Sequence, residues 1–516
     1  MRTGAFSLVE TAMRAGVEVC FANPGTTEMP LVMALDSVPG MRVVLGLFEG
    51  VCTGAADGWA RMTGRPAATL LHLGPGFANG IANLHNARRA RTPVVNWIGN
   101  HATRHIALDA PLTSDIAALA GSVGWTRSVE SAGEMAEASL AAVEAALGPP
   151  GRVASLILPA DCQWEEGPEP LSVVPSPSAP DIPNQAPREA ARLLAKPGGG
   201  ILIGGNALTE RGLKAAARVA AATNCGVWIE TFPSRIERGR HVPGFPLLPY
   251  FPEQALEALK DISALVLVGA REPVGFFAYP DQPSRFAPAG AALYTLADPD
   301  AGVDATLALE ALADELNAPA ATIAPQPGQA FAPGGQALDP DIWGRTMAAF
   351  IPENAIVVNE AVTTGLYWSA VHSRNAAPHT MLWITGGAIG QGLPNALGAA
   401  LACPDRRVIA LQADGSGLYT LQALWSMARE GADVIVVVCA NRRYRILQAE
   451  LARITEKPGP KAQYLTDLSG PAIDWAALAK GFGVPGCTVH TDAALADALT
   501  RALADRGPSL IEAVLA

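Results

Sequence analysis

Val408-Ile409-Ala410-Leu411-Gln412-Ala413-Asp414-Gly415-Ser416 is an apolar run that ends on a carboxylate and a glycine turn. Val434-Ile435-Val436-Val437-Val438-Cys439-Ala440-Asn441 ends the same way on an amide, with Asn441 lying 27 residues after Asp414. Near-continuous apolar runs of this length read as strands buried on both faces of a parallel sheet, with a helix expected between them from Leu418. Working outward, the same alternation recurs. Strands are expected at Arg42–Leu47, Ala67–Leu73 and Pro93–Ile98, then at Gly200–Ile203, Gly226–Glu230 and Ala264–Val268, and finally at Ala355–Val358 and Ser509–Ala513. Helical stretches such as Gly50–Met62 and Ala78–Ala90 fill the gaps. The fold class is therefore α/β, built as doubly wound parallel sheets.

Two Pro-rich stretches, Glu165–Pro187 and Asn317–Pro340, remove backbone donors and resist regular structure, as connectors do. They divide the 516 residues into three domains, 1–165, 188–316 and 341–516, as the size of a single core requires. Apolar residues make up 49% and charged residues 16%, which places the chain among packed globular proteins. The net charge is -11 without a basic run, so neither nucleic acid nor a membrane surface is an expected partner. No uncharged stretch reaches the roughly 20 apolar residues of a membrane helix. The seven scattered cysteines contain no C-x-x-C pair and read as free thiols of a cytoplasmic protein.

Asp414 and Asn441 sit where parallel strands end, the edge at which open α/β sheets bind ligands. A carboxylate and an amide oxygen are hard donors suited to Mg²⁺, which completes its shell with phosphates and water. Gly415 permits close approach of a phosphate, and Ser416 adds a donor. The plain alternative is an Asp-Gly turn and a strand-end Asn. Upstream, Thr385-Gly386-Gly387-Ala388-Ile389-Gly390-Gln391-Gly392-Leu393-Pro394 is either a packing turn or a surface for a flat ligand. Together these residues resemble the thiamine-diphosphate fingerprint of the acetolactate synthase and benzoylformate decarboxylase group, with Ala413 and Ala440 as departures from it. That resemblance implies thiamine diphosphate and Mg²⁺ as cofactors. Asp414, Asn441 and the Arg443 carbonyl would hold the metal. Gly387 would accept from the aminopyrimidine, Ile389 would prop the bent cofactor, and Thr363, Gly415 and Ser416 would line its diphosphate end.

In the first block, Glu49 follows an apolar run and precedes G-V-C-T-G-A-A-D-G-W-A-R-M-T-G. Read alone, it is an acid at a helix start. The pattern resembles the pyrimidine-binding domain of the same family, which implies that Glu49 hydrogen-bonds the ring and so enables proton removal from the thiazolium carbon. Asn23-Pro24-Gly25-Thr26-Thr27-Glu28 and Gly74-Pro75-Gly76-Phe77-Ala78-Asn79-Gly80 resemble two loops of that domain and place Pro24, Gly25 and Asn79 at the cofactor. The three domains are thus expected to be pyrimidine-binding, central and diphosphate-binding.

His72 falls where the decarboxylases carry an active-site His, and Thr26 matches their hydroxyl that binds the substrate carboxylate. The other reading of His72 is a buried core imidazole. A second His is missing at Phe276-Phe277-Ala278-Tyr279, which leaves a more apolar pocket. Leu447-Gln448-Ala449-Glu450 stands where the synthases usually carry a Trp-Gln pair, and Leu447 and Glu450 are expected to line the pocket. His101 and His105 are weaker site candidates. The central block lacks a clean G-x-G-x-x-G, so no flavin is expected there, although some relatives bind one. The resemblance implies an enzyme that cleaves or forms the bond next to a 2-oxo acid carbonyl, with an aldehyde or ketone as acceptor in the second case. It also implies a homodimer or homotetramer with shared sites. A non-catalytic family member is the alternative, and an ordinary NAD-dependent Rossmann enzyme is disfavoured by the missing fingerprint.

Overall fold

The computed structural model describes residues 2–320 and 331–516. Residues 321–330 of the second Pro-rich connector lie outside that range. The first block supplies β1 (Val19–Asn23), β2 (Arg42–Leu45), β3 (Ala67–Leu71), β4 (Val94–Asn100), β5 (Trp125–Ser128) and β6 (Val153–Pro159). They form one sheet in the order β2-β1-β3-β4-β6-β5 with every neighbour parallel. The middle block supplies β7 (Gly199–Ile203), β8 (Gly226–Ile229), β9 (Arg235–Arg238), β10 (Ala264–Val268) and β11 (Ala292–Ala297). Four of these make a parallel sheet, β11-β10-β7-β8. The last block adds β12 (Ala355–Glu360), β13 (His379–Trp383), β14 (Val408–Ala413), β15 (Val434–Ala440), β16 (Gly486–Val489) and β17 (Ser509–Val514).

The third sheet runs β16-β17-β15-β14-β12-β13-β9, so a strand from the middle block closes its edge, antiparallel to β13. The expected strands are found. The expected helix at Leu418 is not: a single turn, Asp414–Gly417, follows β14, and the longer helix begins at Ala423. The first connector has no helix or strand between Trp164 and Ala186. Its start lies along helix Gly4–Arg14, where Ser7 Oγ donates to the Pro168 carbonyl at 2.6 Å and Thr11 Oγ1 accepts from Leu171 N at 3.0 Å.

The first and third domains share one apolar core. At its centre helix Glu49–Thr63 packs on helix Gly392–Ala402. Gly50, Gly54 and Gly58 make the first of these a poor isolated helix; burial on all sides holds it instead. A methyl group at Gly58 would collide with the Asn395 carbonyl, and one at Gly398 with the Ala55 carbonyl. The two backbones are therefore as close as glycine permits. One turn on, Asp57 and Arg61 form a bidentate pair with both side chains buried, at 2.7 and 2.9 Å. The same guanidinium donates to the carbonyls of Trp383 (2.6 Å) and Ser234 (3.2 Å), so it ties the ends of all three domains together.

Candidate active site

Two constellations form at the carboxyl ends of the first and third sheets. The first begins where β1 ends. Pro24 and Gly25 turn the chain into a short helix, Thr26–Glu28, and Glu28 is fully buried. Its carboxylate accepts from Gly25 N at 2.7 Å, from Thr27 Oγ1 at 2.6 Å and from His72 Nδ1 at 2.7 Å. A buried carboxylate with three donors is satisfied, and here it fixes the imidazole. A methyl group at Gly99 would collide with the Glu28 carboxylate, and one at Gly25 with the His72 ring, so both glycines make room for this pair. With Nδ1 committed to Glu28, Nε2 is the nitrogen that can exchange a proton. Thr27 Oγ1 also lies 3.3 Å from His72 Nδ1, whereas Thr26 is exposed on the rim.

Glu49 is the first residue of its helix, where the backbone N–H groups favour negative charge. Asn79 Nδ2 donates to its Oε2 at 3.0 Å. A methyl group at Gly76 would lie 3.1 Å from Glu49 Oε1 and 3.3 Å from His72 Cβ. Glu49, Asn79 and His72 thus converge around Gly76. His101 and His105 face each other with 5.4 Å between ring centroids and have no hydrogen bond to this group among the described residues.

The second constellation occupies the centre of the third sheet. The register aligns Glu360 with Gln412 and Ala413 with Cys439, so β12, β14 and β15 end at one level. Asp414 is 2% exposed. It accepts from Gly415 N at 2.9 Å and Arg442 N at 2.6 Å, and no Lys or Arg side chain pairs with it among the described residues. Burial pushes its carboxyl up from the usual range, against the pull of those two N–H groups. Asn441 Oδ1 accepts from Arg443 N at 3.0 Å, and the Arg443 carbonyl from Arg445 N at 3.0 Å. Among the described residues, no group of three His, Cys, Asp or Glu side chains is placed to hold a metal ion by itself. A hard divalent ion at this edge would therefore draw on Asp414, an amide oxygen, a main-chain carbonyl and ligand oxygens, a donor set that suits Mg²⁺. The buried and otherwise unbalanced Asp414 carboxylate fits such an ion. Ser416 Oγ accepts from Gln412 Nε2 at 2.7 Å, so its hydroxyl faces inward. Thr363 lies in the first turn of helix Val362–Val371, which has no side-chain cap and suits an anion.

The Gly-rich stretch is an open loop. Asn86 Oδ1 accepts from Gly386 N at 3.1 Å and Ala388 N at 3.3 Å, and Asn86 Nδ2 donates to the Ala388 carbonyl at 2.7 Å. Gly387 is exposed with φ +75°, and its carbonyl has no partner among the described residues. Ile389 follows half-buried. Phe276 sits over Gly387, where an added methyl group would strike its ring. The position lacking a second His is thus filled by an aromatic group in which Phe276 packs on Phe232, Tyr250 and Phe277 at 4.9–5.8 Å. Glu450 does not stand alone there: Tyr279 Oη donates to it at 2.9 Å, and Arg453 stacks on Tyr279 at 4.3 Å. Leu447 is exposed on the same helix.

A cavity of about 910 Å³ opens between helix Leu73–Ala90 and the carboxyl edge of the second sheet. Arg89, Arg91 and Arg271 line one side, and it reaches Phe276 and Gly386 at the other. Glu230 lines it, accepts from Gly205 N at 2.9 Å and is pushed up to about 7 by burial. Glu28, Asp57 and Arg61 stand in motifs visible in the sequence but carry no assigned role there, and Asn86 and Glu360 stand in none. Each acts through a partner distant in sequence.

Comparison with known proteins is consistent with this geometry. Residues 2–119 match the thiamine pyrophosphate enzyme N-terminal TPP binding domain. Residues 362–513 match the C-terminal TPP binding domain. A Mycobacterium tuberculosis protein with the provisional name acetolactate synthase large subunit IlvX is 48% identical, covering 99% of each chain. Benzoylformate decarboxylase of Pseudomonas aeruginosa is 30% identical over 99% of this chain and 98% of its own. The solved thiamine diphosphate-dependent 4-hydroxybenzoylformate decarboxylase of Rhodococcus jostii superposes with a TM-score of 0.85 at 27% identity, covering 99% of each chain.

Proposed function

Because this chain belongs to the family of thiamine-diphosphate-dependent enzymes that includes acetolactate synthases and benzoylformate decarboxylases, we propose that it is a 2-oxo acid decarboxylase acting on a substrate with an apolar, aromatic-compatible side chain. The observation that carries this reading is the Glu28–His72 pair beside Glu49. When bound, thiamine diphosphate supplies a carbon nucleophile and an electron sink for the substrate carbonyl. Asp414, Asn441 and the Arg443 carbonyl would hold Mg²⁺, and the Val362 helix start with Thr363, Gly415 and Ser416 would receive the diphosphate. Glu49 would hold a proton at a pyrimidine nitrogen, with Asn79 fixing its carboxylate. Gly387 would offer its free carbonyl to the pyrimidine, and Ile389 would pack beneath the cofactor. Pro24 and Gly25 shape the loop beneath. His72 returns a proton through Nε2, which ends the reaction as an aldehyde. Thr26 on the rim meets the substrate carboxylate, and Leu447 with Glu450 closes the far wall.

A carboligase is the second reading, favoured by the relative named as an acetolactate synthase. Incubation with pyruvate and with benzoylformate separates the two: aldehyde release supports the decarboxylase, and an acyloin supports the carboligase. Calorimetric titration of metal-stripped protein with thiamine diphosphate, with and without Mg²⁺, tests the cofactor. Binding should require the metal, and Asp414→Ala should weaken it by more than the roughly 10–100-fold that loss of a ligand's hydrogen-bond partner costs. Absence of binding in the wild type would overturn the reading. The assignment of blocks 1–165, 188–316 and 341–516 as pyrimidine-binding, central and diphosphate-binding domains, and a dimer or tetramer whose sites combine Glu49 of one chain with Asp414 of another, belong to the same proposal.

A further inference from the structure

Glu360 ends β12 and is 2% exposed, yet the chemistry above does not use it. Its Oε1 accepts from Gly390 N at 2.7 Å and Gln391 N at 3.1 Å. Its Oε2 accepts from Gly392 N at 2.8 Å and Gln412 Nε2 at 2.9 Å. Four N–H donors and no cationic side chain, among the described residues, balance this carboxylate. Burying a charge on such terms is expensive, and three consecutive backbone amides aimed at one carboxylate fix the backbone that carries them. The other side of the same residue is also fixed, because the Gly390 carbonyl accepts from Thr420 Oγ1 at 2.8 Å and Asn83 Nδ2 at 3.3 Å. Gln412 passes the link onward by donating to Ser416 Oγ at 2.7 Å, within the Asp414–Gly417 turn. A methyl group at Gly392 would lie 2.8 Å from Glu360 Oε2, so no larger residue enters this joint without displacing the carboxylate.

We propose that Glu360 is a positioning residue that locks the Gly387–Ile389 loop in register with the Asp414–Ser416 turn, so that the pyrimidine-side and diphosphate-side contacts of the cofactor are presented at a fixed separation. This rests on the reading of those two segments as cofactor contacts. Glu360→Gln keeps the shape but turns a donor toward the Gly390–Gly392 amides. Each variant is titrated calorimetrically with thiamine diphosphate and, separately, with inorganic pyrophosphate, both in the presence of Mg²⁺. Glu360→Gln should weaken thiamine diphosphate roughly 10-fold or more, the size of one lost charged hydrogen bond, while magnesium pyrophosphate changes by less than about 3-fold. Hydrogen exchange should rise in the peptide covering 386–392. Equal losses for both ligands, or no loss for either, would overturn the proposal. If Glu360→Gln does not fold, Thr420→Val removes the other anchor of Gly390 and must show the same selective loss; equal affinities there would overturn it as well. Failure of the wild type to bind thiamine diphosphate would instead refute the cofactor reading.

Discussion

Glu28 shows how one buried carboxylate converts an ordinary imidazole into a directed one. His72→Ala should lower kcat/KM for the 2-oxo acid by roughly 10²–10⁴, the usual contribution of a general acid or base. Glu28→Gln should cost less, because the amide fills the same space but holds His72 Nδ1 with a weaker, uncharged acceptor. Equal kcat/KM for Glu28→Gln and the wild type would show that the pair is only packing. Glu230 makes a prediction about stability. Its carboxyl is raised to about 7 by burial, so the folded state holds a proton that the unfolded state has released. That contribution is complete below the unfolded value and is lost as pH rises through about 7, with an upper size of about 3 kcal/mol. Thermal unfolding at several pH values should find Glu230→Gln gaining on the wild type between pH 5 and 8; a constant difference would refute it. At this scale the sequence showed the residues that carry motifs. It hid those that act through partners, since His72 and Glu28 are 44 positions apart and Asn86 reaches Ala388 across 302.

The central element pair is helix Glu49–Thr63 on helix Gly392–Ala402. Gly398→Val should overpack the crossing and cost about 1–3 kcal/mol, read as a lower unfolding midpoint. Arg61→Met leaves Asp57 buried and uncompensated, with an expected loss of about 3–5 kcal/mol. Equal stability for Arg61→Met and wild type would show that the Trp383 and Ser234 contacts are slack. Most strands were legible because burial on both faces makes a parallel strand an unbroken apolar run. β9 was not, because Arg235-Ile236-Glu237-Arg238 alternates charge at a sheet edge, where composition is free to be polar. The helix expected at Leu418 failed for a related reason: the chain spends Asp414–Thr420 on turns that serve Gly390 and Ser416, and regular helix resumes only at Ala423.

For the whole molecule, the three-domain plan could be read from the connectors and the alternation, whereas the arrangement of the domains could not, since it rests on Arg61 and on glycine contacts between helices. Met33, Val43 and Leu47 are 72%, 45% and 45% exposed on the first domain, apolar surface of the kind that the proposed dimer would cover. If the sites are shared between two chains as proposed, mixing Glu49→Gln with Asp414→Ala chains would give hybrid dimers in which one site carries both lesions and the other carries neither. Activity should return on mixing, to no more than half that of wild type; proven hybrids without activity would count against shared sites.

The strand that the middle block lends to the third sheet also bears on how this protein can be recombined. A chimaera that exchanges residues 188–316 for those of a relative would replace β9 as well, and an ill-matched donor would leave β13 with a bare row of amides and carbonyls. Such an edge invites pairing between chains, so the expected outcome is insoluble product even when each transplanted module folds. Retaining Arg235–Arg238 with its own β13 should rescue soluble expression.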